Sequence, residues 1–257
     1  MATLNVAWRS AVVGVCFALF GLGGMILSLI VFPLLRLAPG GRAVSEQRAR
    51  VVVRASFLAL LAVLQALRIV RIEKRNLAAL QHIGPALVLA NHPSYLDIVV
   101  LIAHIPNALC VVKSALWRNP FLGGVVRAAG YIRNDQPETL VPSCAARLAN
   151  GLPLIIFPEG TRSAPGAPLH FVRGAAHIAL ATGVPIVPVI LRCEPRFLAR
   201  GAKWYQTPAR TSCISIEALP STSAAALLPA KRGARSLTQV LEHYFIDHLQ
   251  GHERLAA

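Results

Sequence analysis

An α/β domain with a mostly parallel sheet flanked by helices, preceded by an N-terminal membrane-associated helical segment, is the fold class this sequence predicts. Three observations carry that expectation. From about Leu77 onward, short apolar runs alternate with stretches of helical period, the pattern of strands joined by crossover helices. The run at residues 11–32 contains no charged residue. The whole chain of 257 residues is 55% apolar with a mean hydropathy of +0.56, high for a soluble domain alone.

Taken in order, the uncharged run would make a helix about 33 Å long, enough to cross a hydrocarbon core of about 30 Å. It exceeds the apolar core of a signal peptide, about 7–15 residues, and no small-x-small cleavage site precedes Arg36, so a retained anchor is expected. The competing reading is a pair of helices partly sunk in one leaflet, the second at residues 56–66, flanked by Arg54 and Arg68 and too short to span. Arg36, Arg42, Arg48, Arg50 and Arg54 follow the run and only Arg9 precedes it, which by the positive-inside bias turns the C-terminal part toward the cytoplasm. Residues 1–72 are therefore expected to anchor and 73–257 to form the globular domain. In that domain strands are predicted at residues 86–90, 108–112, 154–157 and 185–191, with helices at 94–105, 120–129, 138–150 and 172–182. A strand near 213–217 and a helix near 237–249 finish it, and residues 221–235, rich in Ala, Ser and Pro, read as a loop or weak helix.

The formal charge of +15, with a sequence pI near 11.0, fits either a nucleic-acid binder or a protein on anionic lipid. Aromatic residues make up only 6% and no nucleic-acid motif is present, so membrane lipids are the expected partner and nucleic acid is not. The five cysteines are scattered without Cys-x-x-Cys spacing and read as small buried hydrophobes; neither a metal nor a cofactor is expected. His170 and His177 read as loop and helix residues.

Functional expectations concentrate at two strand ends. Asn91-His92-Pro93-Ser94-Tyr95-Leu96-Asp97 follows the strand at 86–90, and Pro93 keeps His92 out of the helical region while suiting the first position of the next helix. A histidine at such a turn can receive Asp97 from the first helical turn, giving a base and its orienter to which a bound hydroxyl would add the nucleophile. The same residues also suit a capped helix start, with Asn91 as the cap and Asp97 near a helix N-terminus. A second polar turn, Phe157-Pro158-Glu159-Gly160-Thr161-Arg162-Ser163, follows the strand at 154–157. There is no Gly-x-Ser-x-Gly elbow for a serine hydrolase, and Ser94 and Ser163 lack its setting.

Together these stretches resemble the lysophospholipid acyltransferase family, the 1-acylglycerol-3-phosphate acyltransferases. Asn91, His92 and Asp97 match its first motif, Phe157 to Ser163 match its phosphate-binding motif, Val184 to Val189 match its proline-marked strand, and Lys113 stands where the family carries a lysine. The resemblance covers roughly Leu77 to Leu191. It implies membrane-bound transfer of a fatty acyl group from acyl-CoA or acyl carrier protein to the hydroxyl of a lysophospholipid, with 1-acylglycerol-3-phosphate as the acceptor and phosphatidic acid as the product. It also supports the sunken pair of N-terminal helices. His92 would be the general base and Asp97 its orienter. Arg162 would contact the acceptor phosphate or carboxylate, Gly160 would let the backbone approach closely, Glu159 would orient Arg162 or bond acceptor hydroxyls, and Thr161 and Lys113 would complete the binding set. A Glu159–Arg162 pair closing a structural turn is the plainer alternative, as are a surface role for Lys113 and a solvated Arg173. The second family motif commonly places an arginine six residues after a glycine, whereas Arg133 comes three after Gly130. That departure motivates an alternative acceptor such as an acyl-amino-acid or polyene lipid, and a non-catalytic membrane-binding module is the remaining alternative.

Overall fold

The computed structural model describes residues 2–134, 136–164, 166–228 and 233–256. The chain opens with α1 (Ala2–Ile26), which runs through a π-helical turn (Leu27–Val31) into α2 (Phe32–Leu37). Pro33 accounts for the turn. It lacks the N–H that would bond the Leu29 carbonyl and its ring crowds that carbonyl, so the helix widens just before it. The uncharged run at 11–32 is thus the middle of a longer helix.

The next helix, α3 (Gly41–Ala66), is 26 residues long, which corrects the short helix expected at 56–66. Of the two arginines expected to flank the shorter helix, Arg54 lies within this one and Arg68 just beyond its end. Arg50 donates to Asn107 Oδ1 and the Ala129 carbonyl, Arg54 donates to the Ala103 carbonyl, and Glu46 accepts from Arg42 and Arg147. Residues 5–37 and 41–66 are each long and apolar enough to cross a membrane by length and composition, and only 17% of the most apolar part of the first is buried. Val15, Leu19, Leu22, Ile26, Leu29 and Ile30 lie on its exposed face.

A seven-stranded sheet follows, built from β1 (Val70–Arg75), β2 (Leu87–Ala90), β3 (Leu109–Val112), β4 (Ile132–Arg133), β5 (Leu154–Ile156), β6 (Ile186–Glu194) and β7 (Ser212–Ala218). Between the strands run α4 (Ala78–Gln81), α5 (Leu96–His104), α6 (Ser114–Trp117), α7 (Gly123–Ala128), α8 (Pro137–Ala149) and α9 (Gly174–Thr182), and α10 (Ala224–Leu227) and α11 (Ala234–Ala256) close the chain. The spatial order is β1-β7-β6-β2-β5-β3-β4, and only β6 with β7 is antiparallel. This is the mostly parallel α/β sheet that the alternation predicted. β2 and β5 are buried at every position, as central strands covered on both faces must be.

Two strands lack a counterpart in the sequence reading, and both are edges. β1 reads Val-Arg-Ile-Glu-Lys-Arg, whose charges disguise it as a linker while discouraging further pairing, and β4 has only two residues. The boundary expected after residue 72 falls inside β1. Within 221–235, α10 is capped by Ser223, whose hydroxyl accepts from the Ala226 N–H, and residues 229–232 lie outside the described residues. Because β6 and β7 are antiparallel, β1 and β7 begin at the same end of the sheet where β2, β5 and β3 finish.

Candidate active site

β2 and β5 are parallel neighbours, so the two polar turns emerge side by side. Asn91 secures the first. Its buried amide donates to the Leu191 carbonyl and accepts the Leu191 N–H, both at 2.8 Å, and so grips β6 instead of capping the helix. α5 starts at Leu96, not at Pro93, and the local chemistry explains the shift. The Ser94 N–H donates to Asp97 Oδ2 at 2.6 Å, and the Ser94 hydroxyl accepts the Leu96 N–H at 3.2 Å while donating to the Phe197 carbonyl at 2.7 Å. The Asp97 contact is half of a capping box, and its signature, Ser-x-x-Asp at 94–97, was legible in the sequence although the sequence reading did not use it.

The same Asp97 Oδ2 lies 2.8 Å from His92 Nδ1. Asp97 is fully buried, which pushes its carboxyl above the usual carboxylate range, while His92 and the Ser94 N–H draw it back. With Asp97 ionised, the imidazole proton sits on Nδ1, leaving the Nε2 lone pair free to accept another. The His92 side chain is 16% exposed, so a substrate can reach it. Phe157 stacks on the ring at 4.0 Å with planes 17° apart, which fixes its tilt. In the sequence Phe157 opens the second motif but carries no role of its own, because its apolar side chain completes a strand pattern.

Glu159 joins the two turns. Its Oε1 accepts the His92 N–H at 2.8 Å and its carboxylate accepts the Ser163 hydroxyl at 2.8 and 3.0 Å, while the Ser163 N–H donates to the His92 carbonyl at 2.8 Å. Glu159 therefore orients His92 and not Arg162, and its burial raises its pKa. Gly160 has φ +67, a left-handed backbone that calls for glycine, and no protein atom lies closer than 3.7 Å to where a Cβ would stand.

Arg162 is held between an aromatic face and two carbonyls. Its Cζ lies 3.4 Å from the Tyr95 ring centroid, and Nη1 donates to the carbonyls of Leu198 and Ala199 at 3.1 and 2.8 Å. Among the described residues its Nε and Nη2 make no hydrogen bond. Tyr95, half exposed at 54%, is a further residue the sequence reading left without a role. Thr161 is half-buried on the same turn. Lys113 is exposed just past β3, and the register that pairs Val112 with Arg133 sets Arg133 beside it. The Arg133 guanidinium lies over Trp117, 5.4 Å from the ring centroid. Arg173 is exposed where α9 begins. A proton acceptor backed by a buried carboxylate and flanked by cationic groups at one sheet end can activate a hydroxyl on an anionic substrate.

Residues 71–192 match the Acyltransferase family. The chain is 31% identical to the 1-acyl-sn-glycerol-3-phosphate acyltransferase of Helicobacter pylori over 63% of its own length and 70% of that protein's. Against the mouse 1-acyl-sn-glycerol-3-phosphate acyltransferase alpha it is 26% identical, with 62% and 58% of the two chains covered. With a Caenorhabditis elegans relative included, the match spans between 51% and 70% of each relative. In fold, the chain superposes with a TM-score of 0.73 on the crystal structure of the 1-acyl-sn-glycerophosphate acyltransferase PlsC from Thermotoga maritima, at 19% identity and covering 100% and 98% of the two chains. The chain belongs to the acyltransferase family.

Proposed function

We propose that this acyltransferase moves a fatty acyl group from the thioester of acyl-CoA or acyl carrier protein to the free hydroxyl of 1-acylglycerol-3-phosphate, giving phosphatidic acid. The observation that carries the reading is the His92–Asp97 pair at the end of β2, bonded through Glu159 and Ser163 to the turn after β5. His92 Nε2 takes the hydroxyl proton as that oxygen attacks the thioester carbonyl. The carbon–sulfur bond then breaks, the new ester remains, and the proton passes from the imidazolium to the departing thiolate. Asp97 holds the productive tautomer, and Phe157 and Glu159 hold the ring and its backbone. Arg162 binds the acceptor phosphate with the donors it does not use on Leu198 and Ala199, supported by Lys113, and the Gly160–Thr161 turn shapes the binding edge. General-base catalysis contributes on the order of 10² to 10⁴ in rate, so positioning and stabilisation of the developing oxyanion supply the rest.

The two N-terminal helices serve as the anchor in the cytoplasmic membrane, and the sheet domain faces the cytoplasm, where such thioesters are found. Their exposed apolar surface supports this reading. The test is thiol release from acyl-CoA, and from acyl carrier protein, by detergent-purified protein across a panel of lipid acceptors. Release that depends on 1-acylglycerol-3-phosphate and is lost in His92→Ala, with membrane binding intact, establishes the reaction. Release with an acyl-amino-acid or polyene acceptor alone would replace the acceptor, and unaltered release in His92→Ala would overturn the mechanism.

A further inference from the structure

Where β1 and β7 begin at the sheet edge there is a cavity of about 470 Å³, with no lining residue in common with the candidate active site. Arg9 lies at its base, 6% exposed, and donates to the carbonyls of Pro208, Arg68, Ile69 and Arg210 at 2.7, 2.9, 3.1 and 3.0 Å. Carbonyl acceptors satisfy the donors of a guanidinium without neutralising its charge. Two of these carbonyls belong to Arg68 and Arg210, so Arg9 fixes the backbone positions from which both side chains leave. The Thr211 hydroxyl adds a 2.7 Å bond to the Arg68 carbonyl, and Asn5 donates to the Ala209 carbonyl at 3.1 Å. Among the described residues, neither the Arg68 nor the Arg210 side chain has a hydrogen-bonding or ionic partner, and both are exposed. Three like charges around one cavity repel unless an anion completes it.

The position of the cavity identifies the kind of anion. β1 and β7 start at the sheet end that carries His92. Outside the N-terminal helices, the large exposed apolar side chains among the described residues are Leu67, Tyr95, Phe121, Val172, Leu180, Trp204 and Tyr205. All but Leu180 sit on turns at that end, and Trp204 packs on Gly14 of α1, 2.9 Å from where a Cβ would be. Trp8, 60% exposed, lines the cavity on the same helix, and indole rings favour the headgroup level of a bilayer. We infer that Arg68 and Arg210, set in place by Arg9 and bordered by Trp8, bind the phosphate of an anionic membrane phospholipid at a site separate from acyl transfer. This rests on the membrane placement proposed above, but not on the reaction. Occupied, the site would hold the start of α1 and the catalytic end of the sheet against an anionic bilayer.

The full-length protein in a neutral detergent, without acyl donor, is titrated with dihexanoyl phosphatidylglycerol and followed by thermal shift. Dihexanoyl phosphatidylcholine and inorganic phosphate are run in parallel. Arg68→Gln/Arg210→Gln should weaken phosphatidylglycerol binding about 30-fold, the loss expected for two basic residues near anionic lipid. Lys74→Gln/Arg75→Gln, which removes the same charge at the far end of β1, should bind like the wild type. Arg210→Gln alone, whose side chain has no partner to lose, gives the same test should the double variant be unstable. Equal weakening in both double variants, or none in either, would overturn the site, and saturation by inorganic phosphate at the lipid's concentration would overturn the lipid assignment. Because no turnover is measured, failure of the proposed reaction leaves this result standing.

Discussion

Asp97 performs two tasks with one oxygen, capping α5 through the Ser94 N–H and orienting His92 through Nδ1. Asp97→Asn removes the charge while leaving one amide atom in the shared place: an oxygen there still accepts the Ser94 N–H and the Nδ1 proton but no longer stabilises the imidazolium, whereas a nitrogen there traps the tautomer whose Nε2 is not a base and opposes the Ser94 N–H. We expect turnover to fall by about 10³ to 10⁴, as for triad carboxylates, while the melting temperature holds or rises because a buried charge is removed. Steady-state rates beside thermal melts decide it, and a large fall in stability would make Asp97 chiefly structural. Glu159 gives a pH test. Its pKa is raised in the folded state by burial, so relative to the unfolded chain its ionised form costs stability at neutral pH. That cost fades as pH falls through the raised value and is gone below about 4.3, the ordinary glutamate value. Glu159→Gln should therefore melt higher than the wild type at pH 8, with the gap closing toward pH 4. A variant less stable at every pH would show that the carboxylate's hydrogen bonds outweigh its desolvation.

At the scale of elements, the π-helical turn of the N-terminal helices packs closely on α7 of the sheet domain. A Cβ on Gly124 would stand 2.3 Å from Ser28 Cβ and 3.0 Å from its Cα, so the backbones themselves must part to admit one. Gly124→Ala should cost about 1–3 kcal/mol in denaturant unfolding, and Ser28→Gly in the same chain should recover much of it. Additive losses would mean that the clash is relieved elsewhere. The elements the sequence revealed most clearly were those with uninterrupted apolar runs, β2 and β5, while the charged edge β1 and the two-residue β4 carried no period to read. α3 was shortened in the sequence reading for the converse reason. Glu46, Arg50 and Arg54 look like solvent-facing flanks until their partners Arg147, Asn107 and Ala103 are seen, and these lie far away in the chain.

For the whole molecule, the exposed apolar face of α1 and the charge of +15 favour the same partner, an anionic bilayer. Leu19 and Leu22 are 62% and 49% exposed, so Leu19→Asp/Leu22→Asp removes little packing. Flotation with vesicles should show at least a tenfold loss of membrane association, since each buried charge opposes insertion by about 2.5–3.5 kcal/mol, while the melting temperature in detergent shifts little. Unchanged flotation would place the membrane contact elsewhere on the protein.

The sequence by itself determined the α/β class, the apolar N-terminal segment and the two motifs, because each is written in neighbouring residues: a strand pattern, an uncharged run, and polar groups at fixed spacing. It held the capping box at Ser94–Asp97 as well. Only the tertiary structure decided what those groups touch. Glu159 holds the His92 backbone, Arg162 lies against Tyr95, Asn91 grips β6, and Arg9 aligns Arg68 with Arg210 across 59 and 201 residues of chain. Such partners are set by strand order and register, which bring distant segments together, and no local pattern records that choice.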